Sequence, residues 1–177
     1  MPALRLSSQQ IDQLIEWIAT YIGDQRADFL KSAKRIQPDF VRTVQAFFPE
    51  DIIERVRVVR GRAPEPSFYS RLKALGIRNP PQFSDMAGIT FQDVVVHVDP
   101  LTPALLFHEL VHTVQYKHLG LDGFAEYYVR GFLSGGSYEE IPLEKQAYEL
   151  EDRFIRNPSS AFSVEQDVEA RIRKKQF

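Results

Sequence analysis

His108, Glu109 and His112 stand in the order H-E-x-x-H within LLFHELVHTVQYKHLG, residues 105–120. Imidazoles four apart on a helix lie about 40° apart round its axis and roughly 6 Å along it, so both can reach one metal ion. Glu109 sits about 100° round from His108. It is poorly placed to join the same set of ligands, but it can lean over the metal and hold a water. This division of labour suits zinc hydrolysis: the ion lowers the pKa of a water, and the carboxylate takes the proton during attack on a carbonyl. The competing reading is a structural pair of histidines satisfied by hydrogen bonds.

A catalytic zinc usually has three protein ligands and an open position. His118 completes the metzincin spacing H-E-x-x-H-x-x-G-x-x-H, except that Gln115 replaces the glycine. Gln115 is a good helix former with a Cβ, which disfavours the turn that would bring the chain back. On a continuing helix His118 lies about 9 Å along the axis from His112 and roughly 120° round, out of reach. It suits the last turn, where positive charge complements the helix dipole. Both methionines, Met1 and Met86, lie upstream, so neither can form a methionine turn after the histidines.

The second source of a ligand is IPLEKQAYELEDRFIRN, 141–157, read as a helix with Pro142 in its first turn. Leu143, Ala147, Leu150 and Phe154 form its buried stripe. Glu144 lies at the edge of that stripe, where the helix N-terminus favours the ionised form. It is the expected third ligand. Glu151, on the same edge, is the fallback. Glu149 projects to solvent, and Glu139 and Glu140 precede the helix.

These side chains need elements to position them. Thr102 can cap the histidine helix, Pro103 suits its first position and Gly120 suits its end. RVRVVRG, 55–61, has strand composition. GITF and DVVVHV read as strands at 88–91 and 94–98, joined by a tight turn at Gln92 and Asp93. Towards the N-terminus, Ile11, Leu14, Ile15, Ile18 and Ile22 recur at helical spacing after a cap at Ser7 or Ser8. That helix is expected to reach Tyr21 or Gly23 and to continue through Asp28 to Ile36. DFVRTVQAFF follows as a second helical stretch, and PSFYSRLKALG as a short helix ending at Gly76.

The expected fold is α+β, a single domain spanning 1–177. Residues 1–50 form a helical layer, 51–157 a core with a small twisted sheet over the histidine helix, and 158–177 a C-terminal helix or tail. LDGFAEYYVRGFLSGGSYEE is the expected wall of the cleft, with Gly131, Gly135 and Gly136 letting it move. DVVVHV is the expected edge strand, to which an extended peptide could add.

Composition limits the alternatives. Hydrophobic residues make up 44% of the 177, enough for a core, and the net charge of −2 gives no reason to expect nucleic acid. The basic cluster Arg171, Arg173, Lys174 and Lys175 reads as a solvated helix end. There is no cysteine, so no disulfide, thiolate ligand or thiol nucleophile. No stretch approaches a membrane span, and MPALRLSSQQ lacks a signal peptide's apolar core. A cytoplasmic protein is the default expectation, with export by a signal-independent route the other.

HELVHTVQY, then GLDGF, then IPLEKQAYELE resemble small bacterial gluzincin-like domains with an H-E-L-T/V-H-x-x-Q helix and a later P-x-E-x-E-A helix. That group, long catalogued as a domain of unknown function, includes candidate metallopeptidases, and related domains occur in proteins linked to extracellular contractile injection systems. The resemblance covers roughly residues 85–155 and leaves the N-terminal helices outside. It implies a zincin-like fold, Zn2+ held by His108, His112 and Glu144, Glu109 as general base, and a peptide or protein substrate. Two positions depart from the group. Tyr148 stands where many gluzincins have an Asp or Asn that orients a ligand histidine, and Gln146 replaces the usual acid two residues after the ligand. Glu126 is one group that could rebuild that support. Tyr127, Tyr128, Tyr138 and Tyr148 are the candidates for stabilising an oxyanion, and His97 reads as an ordinary strand histidine. The rival functions are a zinc-binding but catalytically silent interaction or delivery module, and a helical scaffold without metal.

Overall fold

The structure, a computed structural model, describes residues 6–135 and 137–176. Helix α1, Ser8–Leu30, opens with a capping box: the Ser7 hydroxyl accepts from the Gln10 amide, and the Gln10 side chain accepts from the Ser7 amide. It buries Leu14, Ile18, Tyr21 and Ile22, the apolar stripe the spacing marks. It runs without a break past Gly23 but stops before the expected Ile36, because Lys34–Arg35 pair as strand β1. Helix α2, Pro38–Val44, and helix α3, Glu50–Arg55, follow; α3 is not among the expected elements, and it takes Arg55 from the segment expected as strand. Strand β2 is Arg57–Arg60, and the short helix α4 is Tyr69–Leu72.

Strands β3, Gly88–Phe91, and β4, Val94–His97, form the expected hairpin, with Gln92 at φ 60 in its turn. Arg26 of α1 holds that turn, donating to both carboxylate oxygens of Asp93 at 2.6 and 3.0 Å. The sheet order is β1-β2-β4-β3. β4 is therefore internal, parallel to β2 and antiparallel to β3. This corrects the expectation that DVVVHV lies at the edge. Val94, Val95 and Val96 are all buried, since Val94 and Val96 face the core shared with α1 while Val95 faces the opposite one. A continuous apolar run marks a strand covered on both faces, whereas an edge strand normally carries charge or a break. The edge beside the histidine helix is β3.

Helix α5, Pro103–Gly135, is broken by Gly120, whose φ of 71 and ψ of 176 are not helical. Gly120 ends the histidine helix as expected, but the chain does not pass into a loop. It re-enters helix at once as a second limb, and Tyr116 of the first limb stacks on Phe124 of the second with ring centres 3.7 Å apart. The expected pivots Gly131 and Gly135 are packing glycines. A Cβ on Gly131 would lie 2.6 Å from Pro142 Cδ, and one on Gly135 would overlap Glu140. Gly136 lies outside the described residues.

Helix α6, Pro142–Arg156, buries Leu143, Ala147, Leu150 and Phe154 as its stripe predicts, and Phe154 stacks on Phe107 of α5 at 4.5 Å. Helix α7, Val164–Arg173, completes the fold. The architecture is mixed α+β, mostly helical around one four-stranded sheet. Among the described residues, no helix is long and apolar enough to cross a membrane.

Candidate metal centre

The first limb of α5 begins with Thr102, whose hydroxyl accepts from the Leu105 amide at 3.1 Å, as expected of a cap. Leu106 and Leu110 are fully buried in the core and fix the helix's rotation. His108 and His112 then face α6, and the two Nε2 atoms lie 3.2 Å apart. Glu144, in the first turn of α6, brings Oε2 to 3.4 Å from His108 Nε2 and 3.3 Å from His112 Nε2. All three residues are buried and positioned to bind one metal ion. Glu144 Oε2 is buried without a well-formed hydrogen bond, which is the condition of an atom that has a ligand's task.

The far sides of both imidazoles are engaged. His108 Nδ1 lies 3.0 Å from Glu151 Oε2, and His112 Nδ1 lies 2.8 Å from Gln115 Oε1. An oxygen acceptor at Nδ1 holds the proton there and leaves the Nε2 lone pair free for a metal. Gln115 is held in turn: its amide nitrogen donates to Leu143 O at 3.0 Å and to Gln146 Oε1 at 3.1 Å, and Gln146 Nε2 donates to Asp167 O at 3.2 Å. The two departures thus have a common explanation. Gln115 and Gln146 supply the support for His112, and Glu151 supplies it for His108 as a positioning group, where the sequence reading offered it as a spare ligand. Glu126 takes no part, being paired with Arg130 on the surface. Glu151→Ala or Gln115→Ala is expected to weaken metal affinity by about 10–100-fold without unfolding the chain. Competition with a chromophoric chelator measures it, and unchanged affinity in both variants would remove this role.

Without metal, the site favours protonated imidazoles: the carboxylates overcome the cost of burial and raise the pKa of His112 as well as that of His108. Burial opposes charge on His108, but the Glu144 and Glu151 carboxylates outweigh it and raise its pKa to about 10. Burial likewise disfavours charge on Glu144, and the two imidazoles overcome it and hold its carboxyl below the usual range.

Glu109 is buried beside the triad and is not one of its three ligand atoms. Thr90 of β3 fixes it, the hydroxyl lying 2.7 Å from Glu109 Oε2 and 3.1 Å from the Glu109 carbonyl oxygen. Thr90 went unnoticed in the sequence, since nothing local marks a strand hydroxyl that meets a helix across the core. Burial raises the pKa of Glu109, and the two histidines and the Thr90 hydroxyl counter that. Gly88 lies so close that a Cβ there would be 2.6 Å from Glu109 Oε1, so the edge strand's backbone passes directly by the carboxylate.

Two spaces meet at Glu109. An outer groove of about 240 Å3 is bordered by Gly88, Leu105, His108, Tyr148 and Glu151. An inner cavity of about 40 Å3 reaches back from Glu109, His112 and Glu144 among apolar and aromatic side chains of α1, β3 and the second limb of α5. Tyr138 borders both spaces and interacts with Glu144; burial and that carboxylate keep its hydroxyl protonated. Tyr148 packs against the His108 ring with centres 4.5 Å apart. Tyr128 lines the inner cavity and also a separate apolar cavity among Leu14, Phe68, Leu72 and Phe132, but not the outer groove.

His118 is remote from the triad, as the helix geometry requires. It is half-buried, with Nε2 3.0 Å from Glu165 Oε1 of α7, and Lys117 Nζ lies 2.8 Å from the same oxygen. His118, Glu165 and Glu169 are near enough to suggest a cation, but the Lys117 ammonium already supplies the positive charge there. His97 lies at the end of β4 with Nδ1 3.2 Å from Val98 O and borders a separate groove across the sheet. Comparison with known proteins finds no matching family model, no matching curated protein and no matching solved structure.

Proposed function

We propose that the protein is a zinc-dependent peptidase with a zincin-like fold of the gluzincin type. The observation that carries this is the ligand triangle. Its sides of 3.2, 3.3 and 3.4 Å fit the edges of a tetrahedron around one ion. Metal–ligand bonds of about 2.0–2.1 Å give edges of roughly 3.3–3.4 Å. Two imidazoles and a carboxylate, without sulfur, suit zinc. Three ligands leave the fourth corner open, as catalytic zinc requires.

When bound, zinc would acidify a water and polarise a carbonyl. The rest falls to the chain's own residues. Glu109, held by Thr90, takes the proton of the attacking water and passes it to the leaving amine. Tyr138, protonated and bordering both spaces, is the best placed of the four tyrosines to donate to a developing oxyanion. The β3 edge receives an extended peptide by backbone hydrogen bonds, and its backbone beside Glu109 leads the scissile bond past that carboxylate. A structural zinc site has no need of a fifth group like Glu109, and its burial beside the triad favours the peptidase over the silent interaction module.

Protein purified without added zinc should carry about one zinc per chain. The loaded protein should cleave members of a broad peptide library, stop on chelation and recover when zinc is restored. Failure to take up zinc would overturn the metal centre. Tight zinc with no cleavage would leave the silent module as the function.

A further inference from the structure

The inner cavity holds a side chain that the proposed chemistry does not use. Tyr128, on the second limb of α5, is 8% exposed, and its hydroxyl is buried with no hydrogen-bond partner. A buried hydroxyl left unpaired costs free energy, so such a group in a folded core points to a missing partner. Tyr128 stands among Ile18, Phe83 and Phe124, which have nothing to offer it, on the wall between an apolar cavity and the cavity that also contains Glu109, His112 and Glu144; only the second has charged groups on its wall. The space of about 40 Å3 exceeds the roughly 10–15 Å3 that one water needs. It has room for a small side chain, and Glu109, His112 and Glu144 form part of its wall.

We infer that Tyr128 is a specificity-determining residue, whose hydroxyl donates to the tip of an uncharged side chain next to the bond to be cut. The matching side chain has the size and polarity of threonine or asparagine. A carboxylate is disfavoured because Glu109 and Glu144 border the same cavity and no lysine or arginine lines it. A purely aliphatic side chain fits the walls but leaves the hydroxyl unpaired. The cavity depends on α1 for Ile18, Tyr21 and Ile22, so the N-terminal layer takes part in choosing the substrate. This inference rests on the peptidase reading.

The test uses the zinc-loaded full chain and short peptide hydroxamates, whose hydroxamate binds zinc and places the adjacent side chain in the cavity. One pair differs only as threonine against valine, the other as asparagine against leucine; each pair is nearly isosteric. Calorimetry should show the polar member bound about tenfold more tightly. In Tyr128→Phe the ratio should fall to about one, with affinity for the aliphatic member unchanged. The melting temperature of Tyr128→Phe should equal or exceed that of the parent, since an unpaired hydroxyl adds no stability. A ratio that is the same in both proteins, or a lower melting temperature in the variant, overturns the role of Tyr128 and leaves the metal centre standing. Failure of all four probes to bind overturns both.

Discussion

Glu109→Gln should lower peptide hydrolysis by about 10²–10⁴-fold while the zinc stays bound. The substitution keeps shape and size and removes only the ability to take a proton. The amide oxygen can still accept from the Thr90 hydroxyl that now meets Glu109 Oε2 at 2.7 Å, so the side chain stays where it is. His108, His112 and Glu144 are untouched, and metal content is expected to match the parent. Stability of the metal-free protein should rise, because a carboxylate buried as Glu109 is pays to ionise and its raised pKa records that. An acid whose pKa is higher in the folded state loses stability as pH rises past its unfolded value, and the amide does not. The variant should therefore melt above the parent at neutral pH. Assay against a cleaved library peptide, with metal analysis on the same sample and a thermal melt of the chelated protein, gives all three readouts. Equal hydrolysis by variant and parent would remove Glu109 from the chemistry.

The second large effect is the coupling of metal, protons and stability. In the metal-free protein His108 has a pKa raised from 6.5 to about 10. A histidine with a raised folded pKa contributes its full stabilisation below the unfolded value near 6.5 and loses it as pH climbs towards 10. The depressed Glu144 works at the other end, losing its contribution as pH falls through the carboxylate range. The two shifts describe the same coupled ion pairs and are not independent gains. Zinc needs the imidazoles neutral, so binding releases protons held there and tightens as pH rises. Free zinc at about 1,000 times Kd adds about 4 kcal/mol, or roughly 8–16 °C in melting temperature for a chain of this size. The gap between zinc-loaded and chelated protein should widen from pH 6 to pH 9. A gap that narrowed over that range would show that the triad holds no proton for the metal to displace.

The metal centre was largely legible from local rules. A cap at Thr102, a stop at Gly120 and a four-residue spacing place His108 and His112, and of the two acids at the edge of the α6 stripe the one in the first turn, Glu144, is the one that meets them. What escaped the sequence depends on how elements cross. Gln115 was read as an obstacle to the metzincin turn and as part of the H-x-x-Q pattern, with no task for its side chain, yet the crossing of α5 over α6 makes it the support of His112. Glu151 lay on the right edge of the right helix but meets the outer nitrogen of His108 rather than the metal side. The sheet order was missed for a similar reason. A parallel partner far away in sequence decides that β4 is internal, and only the unbroken run Val94-Val95-Val96 hinted at it. Helix ends were read least well where no glycine or proline enforces them, as at Leu30.

Gly120 has a bearing on how this scaffold could change. Where a catalytic helix and its pocket wall are joined by a long loop, insertions in the loop remodel the pocket while the catalytic helix stays intact. Here one left-handed residue makes the whole connection, and the stacked Tyr116 and Phe124 clamp it. An insertion at that point would rotate the second limb and carry Tyr128 out of the cavity. New preferences would have to come from exchange of single side chains on helix faces, which favours small adjustments of an existing taste over replacement by an unrelated one.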